Sequence, residues 1–184
     1  MRVIAGTAKS IQLATIEEKG IRPTTDRIKE TLFNIIQFDV PNCNFLDLFS
    51  GSGAIGIEAL SRGAKQAVFV DNSPKAIKCI NENIKKTNFN DRSKILNTDA
   101  LASIHELDNH GMQFDIIFID PPYNQYFERD ILKKISNSKL IHDKSIIIVE
   151  ATMKTDFDYM DCLSLNIIRE KKYKTNKHVF INRI

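Results

Sequence analysis

Apolar positions along this chain fall into two rhythms that take turns. Short stretches with consecutive apolar residues occur at 45–48, 66–71, 93–97, 114–119 and 145–150. Between them, apolar residues recur every three or four positions, as in Ile28, Leu32, Phe33, Ile35 and Ile36, or Ala76, Ile77, Ile80 and Ile84. The first rhythm belongs to strands buried on both faces, the second to amphipathic helices. Helices are predicted from the Pro23-Thr24-Thr25-Asp26 start to about Phe38, and over 54–60, 74–86, 101–107 and 127–136. Ser73-Pro74 supplies a second helix start of the same chemistry. Alternation at 2–6 and 10–16 around Gly-Thr-Ala-Lys predicts a small hairpin, and 165–173 with 178–184 a closing antiparallel pair. Strands alternating with helices predict a doubly wound, mostly parallel α/β sheet with helices on both faces. One domain over 1–184 is expected, with 1–40 as a hairpin-helix extension within it.

The first strand, 45–48, runs into Phe49-Ser50-Gly51-Ser52-Gly53-Ala54-Ile55-Gly56, a strand–turn–helix unit with glycines where the backbone must turn tightly and approach a ligand. Gly51-x-Gly53-x-x-Gly56 satisfies the dinucleotide pattern, and Asp71 lies twenty residues after Gly51, where a ribose-binding acid is expected. Asp47 changes that picture. A carboxylate just before the turn repels a pyrophosphate and attracts an ammonium. S-adenosylmethionine carries the ammonium and no phosphate, so it is favoured over a nicotinamide cofactor. Four predicted strands end in or next to an acid: Asp47, Asp71, Asp99 and Asp120. Ligands bind beyond the carboxyl ends of such strands.

The most specific stretch is Asp120-Pro121-Pro122-Tyr123. Two prolines fix φ and remove two N–H donors, leaving the Asp120 carboxylate and nearby carbonyls as acceptors around one point. An exocyclic amine on a nucleobase needs such acceptors, because its lone pair is delocalised into the ring. Acceptors on its N–H groups favour a more tetrahedral nitrogen that attacks a sulfonium methyl. Tyr123 offers a π-face on which a base stacks. Other features read as ordinary structure. His105 and His110 are five apart and share no helix face for a metal. His142 and His178 have no partner in sequence, and Phe33, Phe38, Phe114 and Cys79 read as core.

Charge adds a partner. The net +3 is distributed as +2 over residues 1–30, −4 over 31–164 and +5 over 165–184, so basic ends flank an acidic centre. A polyanion reached by the termini is expected. No apolar run approaches the ~20 residues of a membrane span. Three cysteines, widely spaced and odd in number, suit free thiols in a reducing compartment. With no signal-like segment at Met1–Gly6, a cytoplasmic location is expected.

Three stretches together carry a resemblance. Arg22-Pro23-Thr24-Thr25-Asp26-Arg27 with Glu30-Thr31-Leu32-Phe33-Asn34, Leu46–Gly53 with Glu58-Ala59-Leu60-Ser61-Arg62-Gly63-Ala64, and Asp120-Pro121-Pro122-Tyr123 resemble the bacterial 16S rRNA (guanine(966)-N(2))-methyltransferase family. The family's first hairpin carries Gly-Arg after its turn lysine, where this chain has Ser10-Ile11-Gln12. The resemblance implies a seven-stranded, Rossmann-like class I methyltransferase fold. It also implies S-adenosylmethionine as cofactor, no metal, and a guanine N2 amine of 16S rRNA, in an assembled or assembling small ribosomal subunit, as target. On that reading Asp47, Phe49, Gly51, Gly53, Asp71, Asp99 and Ala100 bind the cofactor. Asp120, Pro121, Pro122 and Tyr123 position the base. Arg22, Arg27, Lys171, Lys172, Lys174 and Lys177 meet RNA phosphates. A DNA amino-methyltransferase, a non-catalytic RNA-binding module and a nicotinamide dehydrogenase are the alternatives. Shortness of the chain counts against the first, and lack of a recognisable proton donor against the last.

Overall fold

The computed structural model describes residues 1–16, 25–122 and 127–184. Five strands run parallel: β1 (Asn44–Leu48), β2 (Gln66–Asp71), β3 (Ser93–Asn97), β4 (Ile116–Ile119) and β5 (Ile146–Thr152). β6 (Leu165–Lys172) and β7 (Asn176–Arg183) form the closing hairpin. The order is β3-β2-β1-β4-β5-β7-β6, with β7 antiparallel to both its neighbours. Strand order reverses at β1, which pairs β2 on one side and β4 on the other. That reversal opens a crevice at the carboxyl ends of β1 and β4.

Alternation along the strands divides the apolar residues between two cores. Phe45, Phe69, Phe118, Ile148 and Phe180 face α1 (Asp26–Ile35), α2 (Ala54–Ser61) and α3 (Pro74–Thr87). Leu46, Leu48, Val70, Ile117, Ile119 and Val149 face α4 (Ala100–Asn109) and α5 (Phe127–Ser136). Two caps are where sequence puts them, Thr25 accepting from the Ile28 N–H and Ser73 from Ala76, and Asp99, expected at the cofactor, also caps α4 by accepting from Ala102.

α1 stops at Ile35 rather than Phe38. Phe38 follows in a turn and is 87% exposed, so its placement in the core is corrected, while Phe33 and Phe114 are buried. β4 starts two residues later than expected and β7 two earlier.

α2 is buried along its whole length, including Glu58 and Ser61. Residues 1–16 cover it. The expected hairpin forms a single bridge, Arg2 to Gln12, and is fastened from outside. Glu58 accepts from the N–H groups of Ile4 and Ala5 at 2.8 and 3.0 Å, and from Arg62 Nε at 2.8 Å. Lys29 Nζ lies 3.2 Å from Glu58 and donates to the Arg2 carbonyl at 2.6 Å. Gly6 (φ +82°) lets the backbone press on α2, since a Cβ there would lie 1.8 Å from the Ser61 carbonyl oxygen.

Candidate active site

After β1 the chain makes three left-handed residues, Phe49 (φ 67°), Gly51 (φ 54°) and Gly53 (φ 76°). Glycine takes this conformation freely, while at Phe49 it costs of order 1 kcal/mol or more. Several bonds hold the turn. Asp71, the last residue of β2, accepts from Gly51 N at 2.9 Å and Ser73 N at 2.9 Å. The Ser50 hydroxyl donates to the Asp47 carbonyl and accepts from Val70 N. Buried Asn83 of α3 donates to the Ser52 carbonyl at 2.9 Å and exchanges two bonds with Ala14. Gly56 packs on β2, where a Cβ would meet the Phe69 ring at 2.4 Å.

A cavity of about 250 Å³ opens at the carboxyl ends of β1, β2 and β3. Phe49 and Phe127, with ring centroids 6.4 Å apart, line it together with Pro122, and Asp71, Asp99 and Ala100 line it as well. Among the described residues lining it there is no lysine or arginine. The carboxylate acceptors Asp71 and Asp99 suit a nucleoside with vicinal hydroxyls next to a cation.

Asp47 does not line this cavity. It is 1% exposed, and its carboxylate accepts from Gly56 N at 3.0 Å. Burial pushes its carboxyl up to about 7; the Gly56 hydrogen bond opposes the shift and Asp71 adds to it. Asp47 therefore anchors the start of α2 beneath the turn. Asp120 stands just past β4, and Pro121 is buried while Pro122 is exposed. Burial holds the Asp120 carboxyl well above the usual range, with Glu150 and then Asp47 adding to it. Tyr123 and Arg22 lie outside the described residues.

The proposed RNA-facing positions separate. Arg27 is exposed on α1, Lys172 and Lys174 are exposed, and Lys171 is half-buried. Lys177 is withdrawn from that set: it is buried, its Nζ bonds Glu170 at 2.8 Å and lies over the Phe157 ring. Sequence reasoning passed over Glu150 and His178. Glu150 is a fifth acid at a strand's carboxyl end, a signal present at the predicted strand 145–150. His178 looked unpartnered because Glu150 lies 28 residues back, across the antiparallel β5–β7 pair, and Tyr173 meets it only through the β6–β7 turn.

This sheet order, with a glycine turn after β1 and Asp-Pro-Pro after β4, is a Rossmann-like methyltransferase fold. The chain belongs to the conserved hypothetical protein 95 family, whose model matches residues 1–182. Ribosomal RNA small subunit methyltransferase D of Buchnera aphidicola subsp. Acyrthosiphon pisum is 34% identical, over 83% of this chain and 78% of the relative. The solved structure of yhhF from Escherichia coli superposes with a TM-score of 0.84 at 26% identity, covering 100% of this chain and 97% of that one. SMU.776, solved in complex with SAH, shares the fold with a TM-score of 0.72 at 13% identity, covering 89% of this chain and 51% of its own.

Proposed function

We propose that this protein transfers a methyl group from S-adenosylmethionine to the exocyclic N2 amine of a guanine in small-subunit ribosomal RNA. The observation that carries the reading is the placement of Asp120-Pro121-Pro122 past β4, with Pro122 in the wall of the Phe49–Phe127 cavity. The name of the Buchnera relative supports the ribosomal target, and the SAH complex of a fold neighbour supports the cofactor.

Bound in the cavity, S-adenosylmethionine supplies an electrophilic methyl on a positively charged sulfur. Asp71 accepts from the ribose hydroxyls, Asp99 and Ala100 lie at the nucleoside end, and the Gly51–Gly53 backbone approaches the methionine end. Asp47, beneath that turn, contributes negative potential from below in place of a direct contact. Asp120 accepts a hydrogen bond from the amine, which strengthens as the nitrogen becomes tetrahedral. Pro121 and Pro122 keep competing N–H donors away, and Tyr123 stacks on the base. Rate acceleration comes mostly from alignment of nitrogen, methyl and sulfur.

Single-turnover methyl transfer to small-subunit particles lacking the modification tests the assignment, with the product nucleotide mapped by mass. Asp120→Ala loses an interaction made mainly in the transition state, so the rate falls roughly 10²–10³-fold while cofactor affinity changes little. Wild-type rates in Asp120→Ala make the Asp-Pro-Pro turn structural. Transfer to DNA and not to the particles, or no cofactor binding at all, moves the protein to one of the alternative classes.

A further inference from the structure

Beyond Asp120 the carboxyl edge of the sheet continues as a row of polar side chains. Register pairs Ile119 with Val149, so Asp120 and Glu150 are neighbours one step further on, and Glu150 pairs in turn with His178. All three project to the face that holds Phe118, Ile148 and Phe180, two residues away in each strand. Glu150 and His178 are buried. Both oxygens of Glu150 accept hydrogen bonds: Oε1 from Asn176 Nδ2 at 2.6 Å, and Oε2 from His178 Nε2 at 3.1 Å. The Tyr173 hydroxyl lies 3.0 Å from His178 Nδ1. Burial pushes the Tyr173 phenol up to about 12, so its hydroxyl stays intact and hydrogen-bonds Nδ1 on the side of the ring away from Glu150. The rings of Phe118 and Tyr173 stand edge-on to the imidazole, 5.9 and 5.0 Å away, and hold its plane.

Asp120 is half-buried beside the buried Glu150; neighbouring carboxylates with little access to water resist double ionisation, and the one with fewer donors takes the shared proton. Glu150 has donors on both oxygens. Among the described residues none donates to Asp120. Among the described residues, Asp47 from β1 and Glu150 from β5 act on Asp120, His178 from β7 and Tyr173 from the β6–β7 turn stand behind Glu150, and Lys177 is turned away onto Glu170.

We propose that Glu150, aligned by His178, Asn176 and Tyr173, is a positioning residue that directs the proton released during amine methylation onto Asp120. The inference rests on the methyl-transfer reading above. A cationic ligand in the adjoining cavity favours ionised Asp120, which enters the reaction as a carboxylate. The amine lone pair forms the N–C bond as the C–S bond breaks, and sulfur keeps that electron pair. The nitrogen then carries one proton too many, and Asp120 takes it, with the Glu150 charge alongside raising its hold on that proton.

Two readouts test this. Carbon-13 NMR of aspartate-labelled, cofactor-free protein follows the Asp120 carboxyl, identified by its loss in Asp120→Asn. In Glu150→Gln its titration moves to lower pH, and in Glu150→Asp, which keeps the charge, it stays nearer wild type. The acid limb of the single-turnover rate moves with it, a displacement that a merely structural role for Glu150 does not produce. Tyr173→Phe removes the hydroxyl bonded to His178 Nδ1, loosens the ring that holds Glu150 and moves the titration the same way by less, which keeps the test decisive should Glu150→Gln fail to fold. An Asp120 titration unmoved in these variants overturns the inference. Absence of methyl transfer by wild-type protein overturns the functional reading instead, and the NMR titration still decides whether Glu150 governs Asp120.

Discussion

Single carboxylates do different work here according to what reaches them. Asp71 accepts from two backbone N–H groups and still faces the cavity. Charge-assisted bonds to two ribose hydroxyls contribute ~1.5–3 kcal/mol each. Asp71→Ala is therefore expected to weaken S-adenosylmethionine by one to a few orders of magnitude in calorimetry, and unchanged affinity removes Asp71 from the site. Asp47 is buried, and its carboxyl is pushed up from an ordinary 3.8 to about 7. A raised carboxyl binds its proton more tightly when folded, so its contribution to stability is fully present below about pH 4 and is lost as pH rises to about 7. Asp47→Asn keeps an acceptor for Gly56 N–H and removes that loss. In urea unfolding, the stability of the variant relative to wild type should rise between pH 5 and pH 8. Parallel curves at the two pH values show that Asp47 does not titrate in this window.

Elements were legible where the information is local. β2, β3 and α5 lie on their predicted residues, because apolar runs and caps such as Ser73 act within a few positions. Phe38 was misplaced because nothing in the α1 stripe marks its end: Ile36 is still buried, and only the turn after it sends Phe38 outward. The acids of the candidate site were legible one by one as strand ends. Their environments were not, since the Asp47–Gly56 bond depends on three-dimensional packing and the Glu150–His178 bond joins residues far apart in sequence. Asn83 is another such case. From mid-α3 it binds both the glycine turn and Ala14, so one side chain joins the candidate cofactor loop to the segment leading into residues 17–24. Asn83→Ala leaves these backbone groups without their partner, at ~1–3 kcal/mol for each buried group left unsatisfied. Lower stability together with faster amide exchange at Gly53 is the expected result. Unchanged Gly53 exchange shows that the turn holds itself.

At the scale of the molecule, charge and topology act at opposite ends of the sheet order. The basic C-terminal segment falls on β6 and β7, the edge furthest from β3, with Lys172 and Lys174 exposed there. Phosphate contacts at this edge make RNA affinity fall steeply with salt, by roughly one counterion released per contact. Lys172→Gln with Lys174→Gln should flatten that slope by about two counterions' worth, whereas Lys177→Gln, whose ammonium is held by Glu170, should not. An equal slope in the double variant returns the edge to plain solvent-facing surface.

At the other end of the chain, Lys29 and Glu58 are fully enclosed beneath residues 1–16, with the ammonium bonded to the Arg2 carbonyl. Burial lowers the affinity of this amine for its proton, against the pull of Glu58. An acylating reagent needs a free and reachable amine, and it reaches this one only while the covering segment has lifted away. Lys29 is thus a chemical clock built into the native sequence: the pace at which this single position is labelled counts the openings of the N-terminal cover, with no foreign probe attached.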